Sequence, residues 1–577
     1  MTNEQIAKQL TQLADLLEFK GANPFRLRAY RKGARIISEM TESVASLIAA
    51  EADLTQFEGI GKGVSQKCVE LVETGRLVQL EELLEEVPKS VLELLKIPGL
   101  GPKKAAVLFN EMNIVSLDQL QAACEAEQLQ RLSGFGAKTE KAILEGLAFA
   151  ASAGKRILWA EANQIAQQIV LHMQSCAAIK QMEFAGSFRR GKETIGDLDL
   201  LVETTDGKAV MDHFMEWSRV SSVIARGDAK LSVRLDDDFQ IDLRVVAADS
   251  FGASLQYFTG SKEHNVRVRG LAKQKNMKVN EWGVFEIDED GNENRIAGKT
   301  EKEVYASLGL PVFVPETRED RVEFQWAHRK IVPRLVKEKD VLGDLHMHTT
   351  ATDGKNSIEE MAQAARDRGL KYIAITDHSK RVTMANGLDG KRASAQWKKI
   401  DKLNEAAPDD FLILKGIECD ILEKGGMDLS DRTLAKADFV IASVHYGQKQ
   451  SAQQITDRII GALENPYVSM LAHPTGRLLN KRDAYAVDMD AVFQCAKANN
   501  KMLELNANPM RLDLNDVYLL KAKEMGIPIV INTDAHSIRG LVNMRYGIKQ
   551  ARRGCLIKSD VANTREWAEM KKLLQIP

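Results

Sequence analysis

Two sets of side chains in this sequence have the types and spacing that phosphorus chemistry needs. The first is Gly186-Ser187-Phe188-Arg189-Arg190-Gly191, followed by Gly196-Asp197-Leu198-Asp199. Side chains alternate along a strand, so Asp197 and Asp199 face the same way. A third acid, Asp242, lies in another alternating run, FQIDLRVV, among apolar neighbours. Three inward carboxylates repel one another unless divalent cations neutralise them, and an all-oxygen donor set favours Mg²⁺ or Mn²⁺. Paired ions of this kind stabilise the attacking and leaving oxygens of an in-line phosphoryl transfer. Gly186, Ser187, Arg190 and the Gly196 amide are read as groups that hold phosphate oxygens. Ser187 has no histidine partner at a suggestive spacing, and no G-K-[ST] follows, so the segment is neither a serine nucleophile nor a Walker loop.

The second set occupies the last 240 residues or so. His346 and His348 end a first apolar run, VLGDLHMH, and point the same way; Asp353 follows on the loop. His378, Glu418, His445 and His473 follow the next four runs, and Asp534 and His536 follow the last. One such histidine would more often be a satisfied core or surface residue, but nine metal-binding side chains at successive strand ends are not explained that way. Nine ligands suit two or three ions. Imidazole and carboxylate without thiolate suit Mn²⁺, Zn²⁺ or Fe²⁺, which make water acidic enough to attack a phosphorus ester. Arg477 (HPTGR) and Arg511 (NANPMR) are candidate phosphate-holding residues, although an arginine at such a rim is often only solvated.

These residues need strands to carry them. VLGDLHMH, KYIAIT, FLILKGIE, DFVIASV, YVSMLA, KMLELNA and PIVINT alternate with helical patterns, which predicts a seven-stranded parallel barrel whose strand ends share one mouth. The runs MEFAGS, LDLLVET, AKLSVRL and FQIDLRVV predict strands for the carboxylates. Between the two lies a highly charged stretch, residues 317–340, which reads as an inter-domain connector.

The first 150 residues have helical periodicity (Ile6, Leu10, Leu13, Leu16, Leu17). Glycine pairs recur at Gly59/Gly61, Gly99/Gly101 and Gly134/Gly136, each after an apolar residue and before a helix start. Such helix-hairpin-helix elements offer free backbone N–H groups to a DNA phosphate without reading sequence. One copy could be a plain interhelical turn; three, each with a lysine close behind, point to DNA binding. Lys20 to Arg35 adds six basic residues and no acid, with Arg26 and Arg31 beside Phe25 and Tyr30, the pattern of a stacking and phosphate-binding patch.

At 577 residues the chain is too long for one core and should hold about three to five domains. A net charge of −2 excludes a polycationic coat but not local basic patches. No apolar run approaches the ~18–20 residues of a membrane span. The start lacks a secretory layout, and six scattered cysteines suit a reducing cytoplasm.

On these motifs, residues 1–315 resemble a family X DNA polymerase, and the rear motifs resemble a polymerase-and-histidinol-phosphatase (PHP) domain with all nine metal positions filled. The resemblance implies a small helical DNA-binding domain (1–80), fingers (81–152), a nucleotidyltransferase palm (153–260), a thumb (261–316), the linker (317–340) and the PHP domain (341–577). It makes Asp197, Asp199 and Asp242 metal ligands, with Asp242 helping to activate the primer hydroxyl. Arg156, Ser187, Arg190 and Gly196 become triphosphate contacts. In Tyr257-Phe258-Thr259-Gly260-Ser261, Tyr257 and Phe258 would border the sugar, and the Thr259–Gly260 backbone would exclude a 2′-hydroxyl. Asn265 and Arg269 would meet the incoming base and the template strand, and Glu281-Trp282-Gly283 completes a thumb signature. Lys67 falls where lyase-active members carry a Schiff-base lysine, and equally suits a phosphate contact. Ile195 and Gln240 depart from the serine and arginine of vertebrate repair members. The implied function is repair synthesis by a monomer on gapped or nicked DNA with deoxynucleoside triphosphates, plus 3′→5′ exonuclease and abasic-site endonuclease activity. Two other readings remain: a phosphomonoesterase barrel with a vestigial polymerase half, and a non-enzymatic scaffold binding DNA ends.

Overall fold

The computed structural model describes residues 1, 3–40, 44–88, 90–95, 97, 100–132, 134–136, 139–140, 143–144, 156–406 and 411–574. The chain divides into two compact units, Met1–Lys155 and Arg156–Pro577.

The first unit is helical. Asn3–Phe19 buries Ile6, Leu10, Leu13 and Leu16 completely, the stripe that its periodicity demands. In Pro24–Glu39 the same spacing turns Leu27, Tyr30, Ala34 and Ile37 into the core. Gly59 has φ +99°, and a Cβ there would sit 2.3 Å from Ile36 Cδ1, so this turn needs glycine. Gly61 and Gly101 cap the helices Lys62–Thr74 and Pro102–Met112 without any side-chain hydrogen bond. The unpaired N–H groups of their first turns, to which Pro102 contributes none, are thereby left for another acceptor.

The second unit opens with β1 (Ile157–Leu158), which pairs with β3 (Thr194–Ile195). The palm sheet is built from β2 (Gln181–Phe184), β4 (Asp197–Glu203), β5 (Val220–Arg226), β6 (Lys230–Leu235) and β7 (Gln240–Val246) in the order β2-β4-β7-β6-β5. β4 and β7 are parallel, with Asp199 opposite Asp242; the other pairs are antiparallel. All four strands expected here are present, and Leu198, Leu200, Ile241 and Leu243 are the buried alternates. A three-stranded antiparallel meander follows: β8 (Met277–Asn280), β9 (Gly283–Ile287) and β10 (Glu293–Ala297).

The seven rear runs form β11 (Gly343–Asp344), β12 (Tyr372–Ile375), β13 (Leu412–Asp420), β14 (Phe439–Ser443), β15 (Met470–Leu471), β16 (Met502–Asn506) and β17 (Ile529–Asn532), all parallel and paired in sequence order. A parallel bridge between Met347 and Ala535 joins the last strand's extension to the first, nearly closing the barrel. Among the described residues, no helix is long and apolar enough to cross a membrane.

The charged segment 317–340 is not a solvated tether at its start. Arg318 is fully buried, donating to the Phe313 carbonyl and pairing with Glu301 at 2.5 Å. Glu301 is also held by Arg189 at 2.7 Å. Burial alone would raise the Glu301 carboxyl, but Arg189 and Arg318 hold it down at about 2. Folded-state depression of a carboxyl gives stability that is complete above its unfolded value and lost as pH falls through the folded one. We therefore expect Arg318→Met to destabilise urea unfolding by about 3 kcal/mol at neutral pH. The difference from the parent should narrow as pH falls from the ordinary glutamate range towards 2.

Candidate active sites

In the palm, β4 and β7 bring the three expected carboxylates to one sheet region. Asp242 receives Lys230 Nζ at 2.6 Å and Gln240 Nε2 at 2.9 Å. Burial would raise Asp242; those donors and Ser232 hold it below its usual range. Asp199 goes the other way: burial, then the charges of Asp197 and Asp242, push it up to about 7. An all-oxygen donor set carrying an unrelieved carboxylate suits a divalent cation. Gln240, a departure from the vertebrate pattern, is here one of the three side chains that hydrogen-bond Asp242, with Lys230 and Ser232. Ile195, the other departure, is fully buried.

Of the residues expected to hold phosphate, Gly186 lies directly against these acids. Gly186 has φ +60°, and a Cβ on it would lie 2.3 Å from Asp199 Oδ2, so only glycine lets the segment pass so close. Arg156 is fixed by Thr194, through Nε to Oγ1 at 2.9 Å and Nη2 to the carbonyl at 2.5 Å, and its Nη1 stands 3.0 Å from where a Gly196 Cβ would be. Arg190 spans Glu319 (3.2 Å) and the Thr259 carbonyl (2.5 Å). Ser187 is half-buried on the short helix Gly186–Arg189. Tyr257 and Phe258 meet edge to face at 5.2 Å, with Arg244 4.1 Å above the Phe258 ring. Gly260 ends their helix at φ +68°. Asn265 is buried, accepting from Gln256 and donating to the Tyr257 carbonyl; Arg269 is exposed.

The barrel mouth gathers its ligands around Glu418. Its carboxylate lies 2.7 Å from His378, 3.1 Å from His473, 3.4 Å from His445, 3.6 Å from His346 and 3.7 Å from His348. Asp534 is 3.2 Å from His348 and 3.5 Å from His346; Asp353 is 3.4 Å from His536 and 3.5 Å from His378. Three overlapping groups have ligand atoms close enough to share an ion: His348-Asp353-His378-His536, His346-His348-Asp534 and His378-Glu418-His445. Buried His346 Nε2, His348 Nδ1 and His473 Nδ1 find no hydrogen-bond partner within the protein, as atoms available to a metal would. Burial and the imidazoles of His378 and His536 push His348 down to about 4, keeping it a neutral ligand at pH 7.

Several functional groups were not foreseen. Glu504, on β16, accepts His346 Nδ1 at 2.7 Å and the His473 amide at 2.8 Å, and Asn532 and Asn506 donate to it. Asp420 receives the His445 amide at 3.0 Å. Both face inward at strand ends by the same period of two that exposed the ligands. Arg511 stands 3.6 Å from Asp534, beside the cluster. Arg477 does not join it: its guanidinium is paired with Glu193 at 2.5 Å.

In the helical unit, Tyr30 differs from its expected stacking role. It is 5% exposed and packs in the core, because the apolar spacing of its helix outweighs its basic neighbours. The exposed ring is Phe25, with Arg28 5.6 Å away. Arg31 is engaged by Asp15 and Glu18, Arg26 by Gln79, and Lys67 by Glu70 at 2.6 Å. Gly134 has φ +83° and Gly136 starts the next turn; Gly99 lies outside the described residues.

Segment by segment, the chain matches family descriptions of a helix-hairpin-helix domain (residues 1–77), a SAM-like helix-hairpin-helix tandem (91–148), a DNA polymerase beta palm (156–234), a DNA polymerase beta thumb (254–319) and a PHP domain (344–508). It is 40% identical over 577 residues to the DNA polymerase/3′-5′ exonuclease PolX of Bacillus subtilis strain 168, covering all of both chains. DNA polymerase lambda of Rattus norvegicus is 26% identical over 343 residues, 55% of this chain and 56% of that one. A probable phosphatase of Thermoanaerobacter sp. strain X514 is 29% identical over 245 residues, 40% of this chain and 95% of that one. The fold and its two sites thus define a nucleotidyltransferase joined to a metallohydrolase barrel. More particularly, the chain belongs to the family X DNA polymerases that carry a PHP domain.

Two substitutions test this geometry. Gly186→Ala should displace Asp199 and lower nucleotide addition by about a hundredfold in a primer-extension assay, with the thermal midpoint little changed. Glu504→Gln should weaken Mn²⁺ binding at the barrel by about 10–100-fold in a metal titration, since it removes the group that orients His346.

Proposed function

We propose that this chain is a DNA repair enzyme that fills short gaps from the palm and removes nucleotides 3′→5′ at the barrel. The observation that supports the reading is that one polymerase-family chain carries both the palm carboxylates of β4 and β7 and a barrel mouth whose His, Asp and Glu side chains form three overlapping groups of metal-ligand type. At the palm, Asp197, Asp199 and Asp242 hold Mg²⁺ or Mn²⁺. Arg156, Gly186, Ser187, Arg190 and the Gly196 amide hold the triphosphate. Tyr257, Phe258 and the Thr259–Gly260 backbone border the sugar, Asn265 faces the base edge, and Arg269 faces the template. Asp242, which pairs with Lys230 at 2.6 Å, would be the carboxylate that accepts the primer hydroxyl proton.

At the barrel, the nine ligands from His346 to His536 hold two or three ions, Mn²⁺ or Zn²⁺ with Fe²⁺ as a further candidate. When bound, such ions supply charge neutralisation and acidified water. Arg511 steadies the phosphate being cleaved. The same site would cut at abasic positions. The substrates are gapped or nicked DNA and deoxynucleoside triphosphates, the DNA being gripped through the backbone N–H groups of the helix turns that follow Gly61 and Gly101. The enzyme acts as a cytoplasmic monomer, with the domain limits drawn above. Lys67 is where lyase activity would rest, and borohydride trapping with Lys67→Ala separates a Schiff base from a phosphate contact.

The test is a Mn²⁺ assay on a gapped duplex, with and without nucleotides. Asp197→Ala should abolish extension and spare degradation; His346→Ala should do the reverse. Joint loss in either variant would break the division into two sites. Extension by Asp197→Ala equal to the parent would remove the triad from the reaction.

A further inference from the structure

The palm segment that carries the phosphate-holding groups, residues 186–196, packs directly on the barrel. Glu193 lies three residues after Arg190 and three before Gly196. Its carboxylate accepts both terminal nitrogens of Arg477, at 3.1 and 2.5 Å, and Gln550 Nε2 at 2.6 Å. Arg477 donates as well to the carbonyls of Arg511, at 3.0 Å, and Leu512. Arg511 in turn stands 3.6 Å from the barrel ligand Asp534. A second clamp grips the same segment: Arg553 donates to the Arg190 carbonyl and to Glu319 Oε1, both at 2.9 Å, and Glu319 Oε1 also accepts from Arg190 Nε. At Gly191, φ is +70° and a Cβ would meet Lys549 Cγ at 2.6 Å, so the backbone lies against the barrel helix Met544–Arg553.

We propose that Glu193 is a positioning residue for both reactions: anchored by Arg477 and Gln550, it sets the Arg190–Gly196 loop for the triphosphate, and through Arg477 it sets the Arg511 loop for the barrel. The inference rests on the polymerase and exonuclease reading above. Its physical basis is that Glu193 and Arg477 are both largely buried, 20% and 14% exposed, in a fork geometry that fixes direction as well as distance. The clamp therefore transmits the placement of one loop to the other. Arg477, which the sequence suggests as a phosphate contact, acts one step removed from phosphate.

The experiment compares Glu193→Gln, Arg477→Gln and the double variant in single-gap filling and, without nucleotides, in 3′ degradation, with thermal unfolding alongside. The expected result is a rise of about tenfold in nucleotide KM for each single variant, with kcat near the parent and the double no worse than either single. Degradation should slow in the same three variants, and Glu193→Asp should recover part of both effects. An unchanged KM in folded Glu193→Gln, additive effects in the double, or equal loss of kcat and KM with a lowered unfolding midpoint would each overturn the proposal. A parent chain that does not extend the primer at all would overturn the polymerase reading and this inference with it.

Discussion

Like charges must be held a few ångströms apart before any cation arrives to relieve them, and strands are what allow it. Neighbouring strands lie about 4.8 Å apart, whereas packed helix axes are about 8–10 Å apart. In the palm the constraint is a single parallel register, Asp199 opposite Asp242, reinforced by Ser232 opposite Asp242 on the other side. A slip of one residue in either strand would turn that strand's carboxylate to the other face of the sheet and separate the pair. The cost of holding them is visible in Asp199, pushed up to about 7 by burial and its acidic neighbours. In the barrel the strands are all parallel, so their ends converge, and a bridge between His378 and Glu418 extends the ladder into the ligand set itself. His473 and Asp534 both adopt left-handed backbone, φ +27° and +51°. Such conformations persist in non-glycine residues only where the surroundings dictate them.

The ligands themselves were legible because strand periodicity and strand ends are local properties. All seven barrel runs and all four palm runs are strands, and the acids and imidazoles fall where alternation puts them. What periodicity reports is whether a side chain faces protein or water; it does not report which group it will face. Tyr30 shows the first half of that limit, since Leu27, Ala34 and Ile37 at helical spacing carry it into the core despite flanking arginines. Arg477 shows the second half: its partner Glu193 is 284 positions away, in another fold, and nothing local distinguishes that arginine from one that meets phosphate. Glu504 was hidden differently. It sits among apolar residues in KMLELNA and reads as one polar position in a strand, although the same inward alternation that marks His346 applies to it.

The near-zero net charge also takes on a structural meaning. A good part of it is spent inside the second unit, where Arg318, Arg477, Arg553, Glu301, Glu319 and Asp516 form pairs with little exposure. Replacing one buried ion pair by apolar groups is often neutral or stabilising, so such a network is weak evidence for added stability. Its physical contribution is directional. An apolar contact between palm and barrel, such as that of Trp159 with Tyr546, tolerates sliding. A guanidinium forked on a carboxylate does not, because a shift of an ångström or so leaves a buried charge unpaired. On the proposal above, that intolerance is the property that matters where the Arg190–Gly196 and Arg511 loops meet back to back: it would refer the nucleotide contacts on one side and the barrel ligands on the other to the same few charged atoms, so that two chemistries share one boundary rather than two independent ones.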